Sequence, residues 1–354
     1  MNKRIKELQE KLEKKKLDGF IITNPINRNY LTGFTGSTGY LLIAKEKGYF
    51  ITDSRYMEQA KLEVPGYEVI ITSNYFKKIC EIIINKKIKR LGYEYNSILF
   101  SQYEFLKERL EKIKWRGIKN FIEDLRMIKT DEEIDLIKKA VKIAELSYEK
   151  TQGRIKEGIS EKDIACELEY NMKKLGADGV SFSTIVASGN RGALPHGISS
   201  DKKLKKGELI IIDFGVSYKG YCSDLTKTIG LGIIQKSYKE AYRVVYNAQQ
   251  EAISFIKSGV KLSNLDKAAR NYLKKHKLHK YFIHSLGHGI GKEVHEGPKV
   301  SHKSTGFVKE GMVFTVEPGI YISGKFGIRI ENIIVVKKDS IEVLGKDQSK
   351  LVVL

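Results

Sequence analysis

Hydrophobic and polar residues along the first 125 positions predict helices and strands in alternation. Ile5, Leu8 and Leu12 have the spacing of one helix face, and an apolar run at 19–22 predicts a strand after it. Further apolar stretches predict strands at 39–44, 48–51, 67–71 and 90–93, and helical spacing predicts helices at 53–62, 75–85 and 101–110. This order predicts an α/β fold for residues 1–125.

A second region, residues 126–354, begins with a helix signal. The segment from Thr130 to Glu133 has the residues of a helix cap, and the positions after it keep helical spacing through Ile143. The segment 155–164 is echoed at 256–265, with a helical pattern beside each copy. Either this short match arises by chance, or the region contains two similar helix–turn–helix halves whose junction would hold a site.

Composition narrows the class of protein. The chain has 354 residues and a formal net charge of +20, which could serve nucleic-acid binding or could reflect scattered surface lysines. The lysine runs are short and have no interleaved aromatic residues, so we expect no nucleic-acid partner. No stretch reaches the roughly 18–20 apolar residues of a membrane span, and residues 1–16 do not resemble a signal peptide. Three widely spaced cysteines argue against a disulfide framework, and we expect a cytoplasmic protein without a membrane partner.

Four acidic residues and one histidine stand out in the second region. Asp213 ends an apolar strand at 208–215, and Asp224 lies on a segment predicted to pair back as a strand after a turn at 218–220. His288 lies between glycines, and Glu317 ends an apolar strand. Glu331 lies in an apolar run at 328–336, read as one strand, where period-two alternation places it on the same face as Arg329.

Each of these residues alone could be a turn former, a cap or part of a surface ion pair. Together, four buried carboxylates would repel one another and resist ionisation. Divalent cations placed between the oxygens would make such a cluster tolerable, so the set predicts a two-metal hydrolytic site. Three further histidines, His196, His284 and His295, lie in or beside glycine-rich segments, whereas His276 and His279 are predicted on the surface. His302 is undecided, with a surface position favoured.

Five segments together resemble a known family: LPHG, IIIDFGVSYKGYCSDLTKT, HSLGHGIGKEVHEGP, VFTVEPGIY and GIRIENIIVV. They are similar to the proline-peptidase branch of the pita-bread metallopeptidases, which contains aminopeptidase P and prolidase. The N-terminal region is similar to the creatinase-type N-terminal domain. The resemblance implies an α/β creatinase-like domain at residues 1–125, an α+β pita-bread catalytic domain at 126–354, and a homodimer.

The resemblance also implies the site. Asp213 and Asp224 would chelate or bridge one divalent ion, Asp224, Glu317 and Glu331 would link to the second, and His288 would complete the ligand set. Manganese is expected before cobalt or zinc, because an oxygen-rich set with one imidazole suits harder ions. A metal-bridging hydroxide would be the nucleophile, and Glu317 would carry its proton to the leaving nitrogen.

The remaining site residues are likewise implied by the resemblance. His196 and His295 would bind the substrate carbonyl and the oxyanion, His284 would line the proline pocket, and Arg329 would orient Glu331. Tyr321 is a further candidate for the substrate pocket. Lys299 occupies the position where some prolidases have an arginine that holds the dipeptide carboxylate, and it could do so with less directional geometry.

The expected substrates are short peptides with proline at the second position. Cleavage of the Xaa-Pro bond at the N-terminus of peptides, as in aminopeptidase P, is favoured slightly, and an Xaa-Pro dipeptidase is the alternative. Methionine aminopeptidase and a non-catalytic pita-bread binding protein are more distant alternatives.

Overall fold

The computed structural model describes residues 3–354, and the chain divides into two compact units between Arg126 and Met127. That these units are two separate domains with a boundary near residue 125 stays a prediction. Among the described residues, no helix combines the length and the hydropathy that would cross a membrane.

Within residues 3–126, the described part of the first unit, there are six helices and six strands. The helices are α1 (Lys3–Lys14), α2 (Pro25–Thr32), α3 (Met57–Glu63), α4 (Tyr75–Asn85), α5 (Phe100–Arg109) and α6 (Glu123–Arg126), with a 3-10 turn at Ser54–Tyr56. The strands are β1 (Gly19–Ile22), β2 (Tyr40–Ala44), β3 (Gly48–Thr52), β4 (Glu68–Ile71), β5 (Arg90–Glu94) and β6 (Lys114–Ile118).

One mixed sheet of order β4-β3-β2-β1-β5-β6 organises this unit. Strand residues alternate between two apolar cores: Phe20 and Ile22 pack on one side of the sheet, and Ile21 on the other. Every helix and strand predicted for this region is present, with ends shifted by a few residues. The prediction missed α2, which is short and polar and is capped by Asn24, the four-residue helix α6, and the largely polar edge strand β6.

The second unit contains four helices and thirteen strands. The helices are α7 (Asp131–Gln152), α8 (Glu161–Lys174), α9 (Lys236–Ser254) and α10 (Leu262–Lys275), with 3-10 turns at Gly189–Ala193 and His279–Tyr281. The strands are β7 (Gly179–Val180), β8 (Ile185–Ser188), β9 (Leu209–Phe214), β10 (Val216–Tyr218), β11 (Tyr221–Cys222), β12 (Leu225–Gly230), β13 (Gly287–Gly289), β14 (Glu296–Val300), β15 (Val313–Val316), β16 (Gly319–Ile322), β17 (Phe326–Arg329), β18 (Asn332–Val336) and β19 (Ile341–Leu344).

Two antiparallel sheets carry Asp213 and His288, and Asp224, Glu317 and Glu331 each lie one residue beyond a strand of these sheets. Strands β12-β9-β8 form a three-stranded sheet, and β14-β13-β15-β18-β19 form a five-stranded sheet. Two helix pairs accompany these sheets, α7 with α8 and α9 with α10, as the sequence echo predicted. The loop of each pair contains a glycine with positive φ, Gly158 at 83° and Gly259 at 87°.

The two echoed loops also make the same backbone contact. Gly158 N–H donates to the carbonyl of Leu204, and Gly259 N–H donates to the carbonyl of Val308. In each case the acceptor residue donates its own N–H back to the residue after the glycine. The repeated geometry supports two related halves in this unit.

The structure corrects two strand predictions. Asp224 is not on a strand: the turn at 218–220 joins β10 to β11, and Asp224 lies between β11 and β12, while β12 is the strand that pairs with β9. The run 328–336 is not one strand either, because the chain leaves β17 at Arg329 and enters β18 at Asn332. Glu331 therefore lies in the crossing between two sheets, and the argument from alternation does not apply to it.

Candidate metal centre

The five predicted ligands converge in the second unit, although they come from five separate segments. Donor atoms of Asp213, Asp224 and Glu331 lie within 4.8 Å of one another, as do those of His288, Glu317 and Glu331. A third group within the same limit joins Asp224 and His288 to His295, which the sequence had placed only among substrate contacts. The arrangement offers two neighbouring positions for cations, with Asp224, His288 and Glu331 each shared between groups.

The two aspartates are held by the β9–β12 region. Asp213 is in register with Thr226 across the strand pair, and Asp224 precedes β12 by one residue. The β10–β11 hairpin is inserted between the two strands, so the chain returns to the edge of β9 with Asp224 beside Asp213. Both carboxylates thus lie at one end of a rigid antiparallel pair.

His288 lies on β13 between two glycines. Other backbone atoms lie so close to these glycines that neither position has room for a side chain. A Cβ atom at Gly287 would lie 2.0 Å from the Thr315 carbonyl oxygen, and one at Gly289 would lie 1.9 Å from the Gly297 carbonyl oxygen. The ring Nδ1 lies 3.1 Å from the Gly289 carbonyl oxygen, which makes Nδ1 the protonated nitrogen. The other nitrogen, Nε2, points at the carboxylates of Glu317 and Asp224, at 3.3 Å and 3.5 Å.

A buried hydrogen-bond network fixes Glu331 and Asp213. The Thr226 hydroxyl donates to Glu331 Oε2 at 2.7 Å and accepts from Arg329 Nε at 2.9 Å. Arg329 Nη2 donates to Asp213 Oδ2 at 2.5 Å. Arg329 was predicted to orient Glu331; it contacts Asp213 directly instead and reaches Glu331 through Thr226, because the chain turns between the two residues.

Burial and mutual repulsion set the protonation of the cluster. Burial, and then the charges of Glu331, Asp213 and Glu317, raise the pKa of Asp224 well above its usual value. Burial, followed by the charges of Glu317 and Asp213, does the same to the pKa of Glu331. Burial tends to raise the pKa of Glu317 as well. The hydrogen bond and the charge of His288 outweigh this effect and lower that pKa to about 2. The pKa of His288 is raised, since Glu317 outweighs the opposing effect of burial.

These residues fit a pair of divalent cations. Asp213 Oδ1 and Glu331 Oε1 are buried and have no hydrogen-bond partner among the described residues. A buried carboxylate oxygen without a donor is costly unless a cation occupies that position. Four carboxylates and one imidazole are a donor set for hard or borderline ions rather than for a structural, sulfur-rich zinc site.

The carboxylate cluster opens into a cavity of about 780 Å³, which the remaining predicted residues line. His196, His295 and Lys299 are exposed at its wall, and the rings of His288 and His295 lie 4.2 Å apart. Although the residue is exposed, partial desolvation of its ring by the cavity wall, and then the neighbouring charge of His288, lower the pKa of His295. The cavity therefore holds the candidate metal ligands and exposed hydrogen-bonding side chains in one continuous space.

Tyr321 joins two of the predicted residues. Its hydroxyl accepts from Arg329 Nη1 at 2.7 Å and lies 3.0 Å from His284 Nε2, while His284 Nδ1 lies 2.8 Å from the Ser285 carbonyl oxygen. Because a carbonyl oxygen can only accept, Nδ1 is the ring nitrogen that bears the proton. The Tyr321 hydroxyl therefore donates to the unprotonated Nε2. Burial raises the pKa of Tyr321 to about 12 and keeps it neutral. Both ring nitrogens of His284 are used within the protein, so it can offer a substrate only its ring surface.

Comparisons with known proteins match both regions of the chain. Residues 135–338 match the model of metallopeptidase family M24, and residues 4–128 match the creatinase/prolidase N-terminal domain. The first match covers more than half of the chain. The chain belongs to metallopeptidase family M24.

Three relatives of this M24 peptidase are similar over nearly their whole length. An Xaa-Pro dipeptidase of Pyrococcus furiosus is 37% identical over 99% of this chain and 100% of its own. The structure of an Xaa-Pro dipeptidase from Bacillus anthracis has a TM-score of 0.96 and 39% identity, covering 99% of both chains. That of an X-Pro aminopeptidase from Thermotoga maritima has a TM-score of 0.91 and 39% identity, covering 97% of this chain and 100% of the other. The predicted family and the predicted fold of both regions are confirmed.

Sequence analysis missed two residues that support the site of this M24 peptidase. Thr226 is one, since a threonine in an apolar strand looks like an ordinary β-branched residue. Glu161 is the other: it is fully buried and accepts from Ser188, Arg191 and Ser200. These contacts fix both ends of the loop that carries His196. The only signal of Glu161 in the sequence was its place in the first turn of a helix after Ser160.

Proposed function

We propose that this chain is an Xaa-Pro dipeptidase, which hydrolyses the bond before the C-terminal proline of a dipeptide. The observation that carries the proposal is that one cavity contains both negatively charged carboxylates and a positively charged lysine. The carboxylate cluster lines this cavity, and Lys299, which pairs with His288 across β13 and β14, lines it as well. A dipeptide carries an ammonium group and a carboxylate only two residues apart, so such a cavity favours one orientation of it.

The similarity to the dipeptidases of Pyrococcus furiosus and Bacillus anthracis supports the same choice. Sequence analysis had slightly favoured the aminopeptidase P type, and similarity to the Thermotoga maritima enzyme keeps that function as the second candidate. The two differ in whether the proline carboxylate is free. A free carboxylate needs a cation such as Lys299, whereas a longer peptide presents a neutral amide there.

Two divalent cations, when bound, would polarise the scissile carbonyl and lower the pKa of a water to near neutrality. We assign Asp213, Asp224, His288, Glu317 and Glu331 as their ligands and keep manganese before cobalt or zinc. Glu317 is the proposed proton acceptor and donor: its lowered pKa keeps the carboxylate ionised and able to accept a proton, and Thr315 and His288 fix it at 3.1 Å and 3.3 Å.

The other residues of the cavity act on the substrate directly. The exposed rings of His196 and His295 can donate to the substrate carbonyl oxygen as negative charge develops on it. His284 and Tyr321 form the wall against which a proline ring would pack, with their polar atoms already paired. We also keep the homodimer as part of the proposal.

The test compares peptides on enzyme that has been stripped with a chelator and reloaded separately with manganese, cobalt or zinc. We expect rapid hydrolysis of Ala-Pro, at least about tenfold slower hydrolysis of Ala-Pro-Ala, and none of Met-Ala. D224N serves as a control for contaminating peptidases. Faster cleavage of Ala-Pro-Ala would favour the aminopeptidase function, and unchanged turnover by the stripped enzyme would refute a metal-dependent reaction.

A further inference from the structure

A second cavity, of about 810 Å³, adjoins the catalytic one, and the two share His284, Ser285 and Lys299 in their walls. Its lining includes the apolar side chains of Met127 and Met312. It also includes the exposed side chains of Lys299, Lys303 and Lys309, and we call this second cavity the cationic cleft. It belongs entirely to the unit that contains the metal centre.

The charge of the cationic cleft is opposite to that of the catalytic cavity. No described residue in its lining is acidic, whereas five carboxylates line the catalytic cavity. Arg270, also in the lining, is already neutralised by Asp266, with 2.6 Å between Nε and Oδ1. Within residues 3–354, by contrast, Lys299, Lys303 and Lys309 form no ion pair. Three lysines facing one concave surface without a carboxylate are chemically suited to an anion.

The residues shared by the two cavities indicate how a bound peptide would run from the catalytic cavity to the cationic cleft. In the proposed function His284 lines the proline pocket, and Lys299 lies where the proline carboxylate would be held. Because these residues line both cavities, a chain that continues past proline can pass from the catalytic cavity into the cationic cleft. Each further residue advances an extended peptide by roughly 3.3–3.6 Å, so the residue after proline is the first to reach the cleft.

We propose that the cationic cleft binds an acidic residue that directly follows proline, so that Xaa-Pro-Asp and Xaa-Pro-Glu peptides bind better than their neutral analogues. This inference rests on the proposed function, because that function sets the direction of the substrate. It concerns occupancy of the site, and it holds whether the tripeptide is cleaved or only competes with dipeptides.

The experiment measures the apparent Ki of three tripeptides against Ala-Pro hydrolysis by the manganese-loaded enzyme. Ala-Pro-Glu and Ala-Pro-Gln have nearly the same shape and differ in charge, and Ala-Pro-Lys reverses the charge. Since exposed ion pairs are weak, we expect Ala-Pro-Glu to bind about threefold to tenfold more tightly than Ala-Pro-Gln, and Ala-Pro-Lys to bind more weakly than both. Raising the salt concentration to about 0.5 M should reduce this ratio.

The double variant K303Q/K309Q should bring the ratio of the two Ki values close to one. Because the ratio is taken within one variant, a general loss of activity cancels. The matched control K338Q/K350Q removes two exposed lysines outside the cleft and should keep the wild-type ratio.

Two results would count against the inference, and they are distinguishable. If Ala-Pro is hydrolysed but the wild-type Ki values for the Glu and Gln peptides are equal, or the control loses the preference as fully as K303Q/K309Q does, the cationic cleft does not recognise acidic residues. If Ala-Pro is not hydrolysed at all, the proposed function fails and this inference fails with it.

Discussion

Replacing Thr226 with valine tests whether the buried network around Arg329 maintains the metal centre. The substitution keeps the shape of the side chain, which is fully buried, and removes a hydroxyl with two partners, Glu331 Oε2 and Arg329 Nε. Glu331 loses its side-chain donor, and Arg329 Nε loses its acceptor. A hydrogen bond to a charged group is worth about 1.5–3 kcal/mol, and an unsatisfied buried donor costs about 1–3 kcal/mol.

We therefore expect T226V to lower the free energy of unfolding by about 3 kcal/mol and metal affinity by about tenfold to a hundredfold. The second effect corresponds to about 1.4–2.8 kcal/mol of binding free energy. Metal affinity is measured by calorimetric titration of manganese into chelator-stripped protein. Stability is measured by chemical denaturation of the same stripped sample, so that metal binding does not contribute to it.

The chain offers a matched control two residues further along β12. Thr228 lies on the same face, is 2% exposed and also makes two hydrogen bonds, but its partners are the backbone carbonyl and N–H of Arg329, at 2.8 Å and 3.1 Å. T228V should reduce stability by a similar amount and leave manganese affinity within about threefold of wild type. Equal manganese affinity in the two variants would refute a role of Thr226 in holding Glu331.

Three further predictions follow from the same structure. E161Q removes a buried charge that anchors the loop of His196, so kcat/KM for Ala-Pro should fall by about tenfold. Manganese affinity, measured by calorimetry, should stay near the wild-type value. A matching loss of manganese affinity would mean that the variant is generally unfolded. Chelation should lower Tm by about 5–10 °C in thermal scans, since ions at a hundredfold excess over Kd stabilise by about 2.7 kcal/mol, and an unshifted Tm would argue against a ligand-linked site. N24A removes the side-chain cap of α2, which accepts from two backbone N–H groups, and should cost about 1 kcal/mol in urea denaturation without changing kcat; a loss of kcat would show that α2 affects catalysis.

The elements of the first unit could be predicted because its central strands are buried on both faces and are separated by amphipathic helices. Apolar runs such as 19–22 and 48–51 are then too short for helices and too apolar for loops. Helix α2 could not be predicted from periodicity, since Asn27 and Arg28 are buried by hydrogen bonds and not by apolar character. Hydrophobic patterns carry no information about such polar burial.

The candidate metal ligands could be singled out because each lies in a distinctive segment, and their convergence was expected from the family resemblance. The strand assignment around Glu331 failed for a different reason. Residues 326–336 are all buried, so alternation vanishes, and one strand cannot be told from two that belong to different sheets. Asp224 was misplaced because the β10–β11 hairpin interrupts the pairing of β9 with β12, and the sequence shows a turn without showing which strands it joins.

The contacts of the site explain why it depends on both halves of the second unit. Asp213, Asp224 and Thr226 come from the half with α7 and α8, whereas His288, Glu317, Arg329 and Glu331 come from the half with α9 and α10. The carboxylates of the two halves repel one another, and among the described groups only Arg329 and Thr226 join Asp213 and Glu331 across the junction. Cations bound at this junction would replace that repulsion by attraction between the halves. Metal binding should therefore stabilise the packing of the two halves against each other, and a ligand substitution such as D224N should abolish the rise in Tm on adding manganese as well as activity.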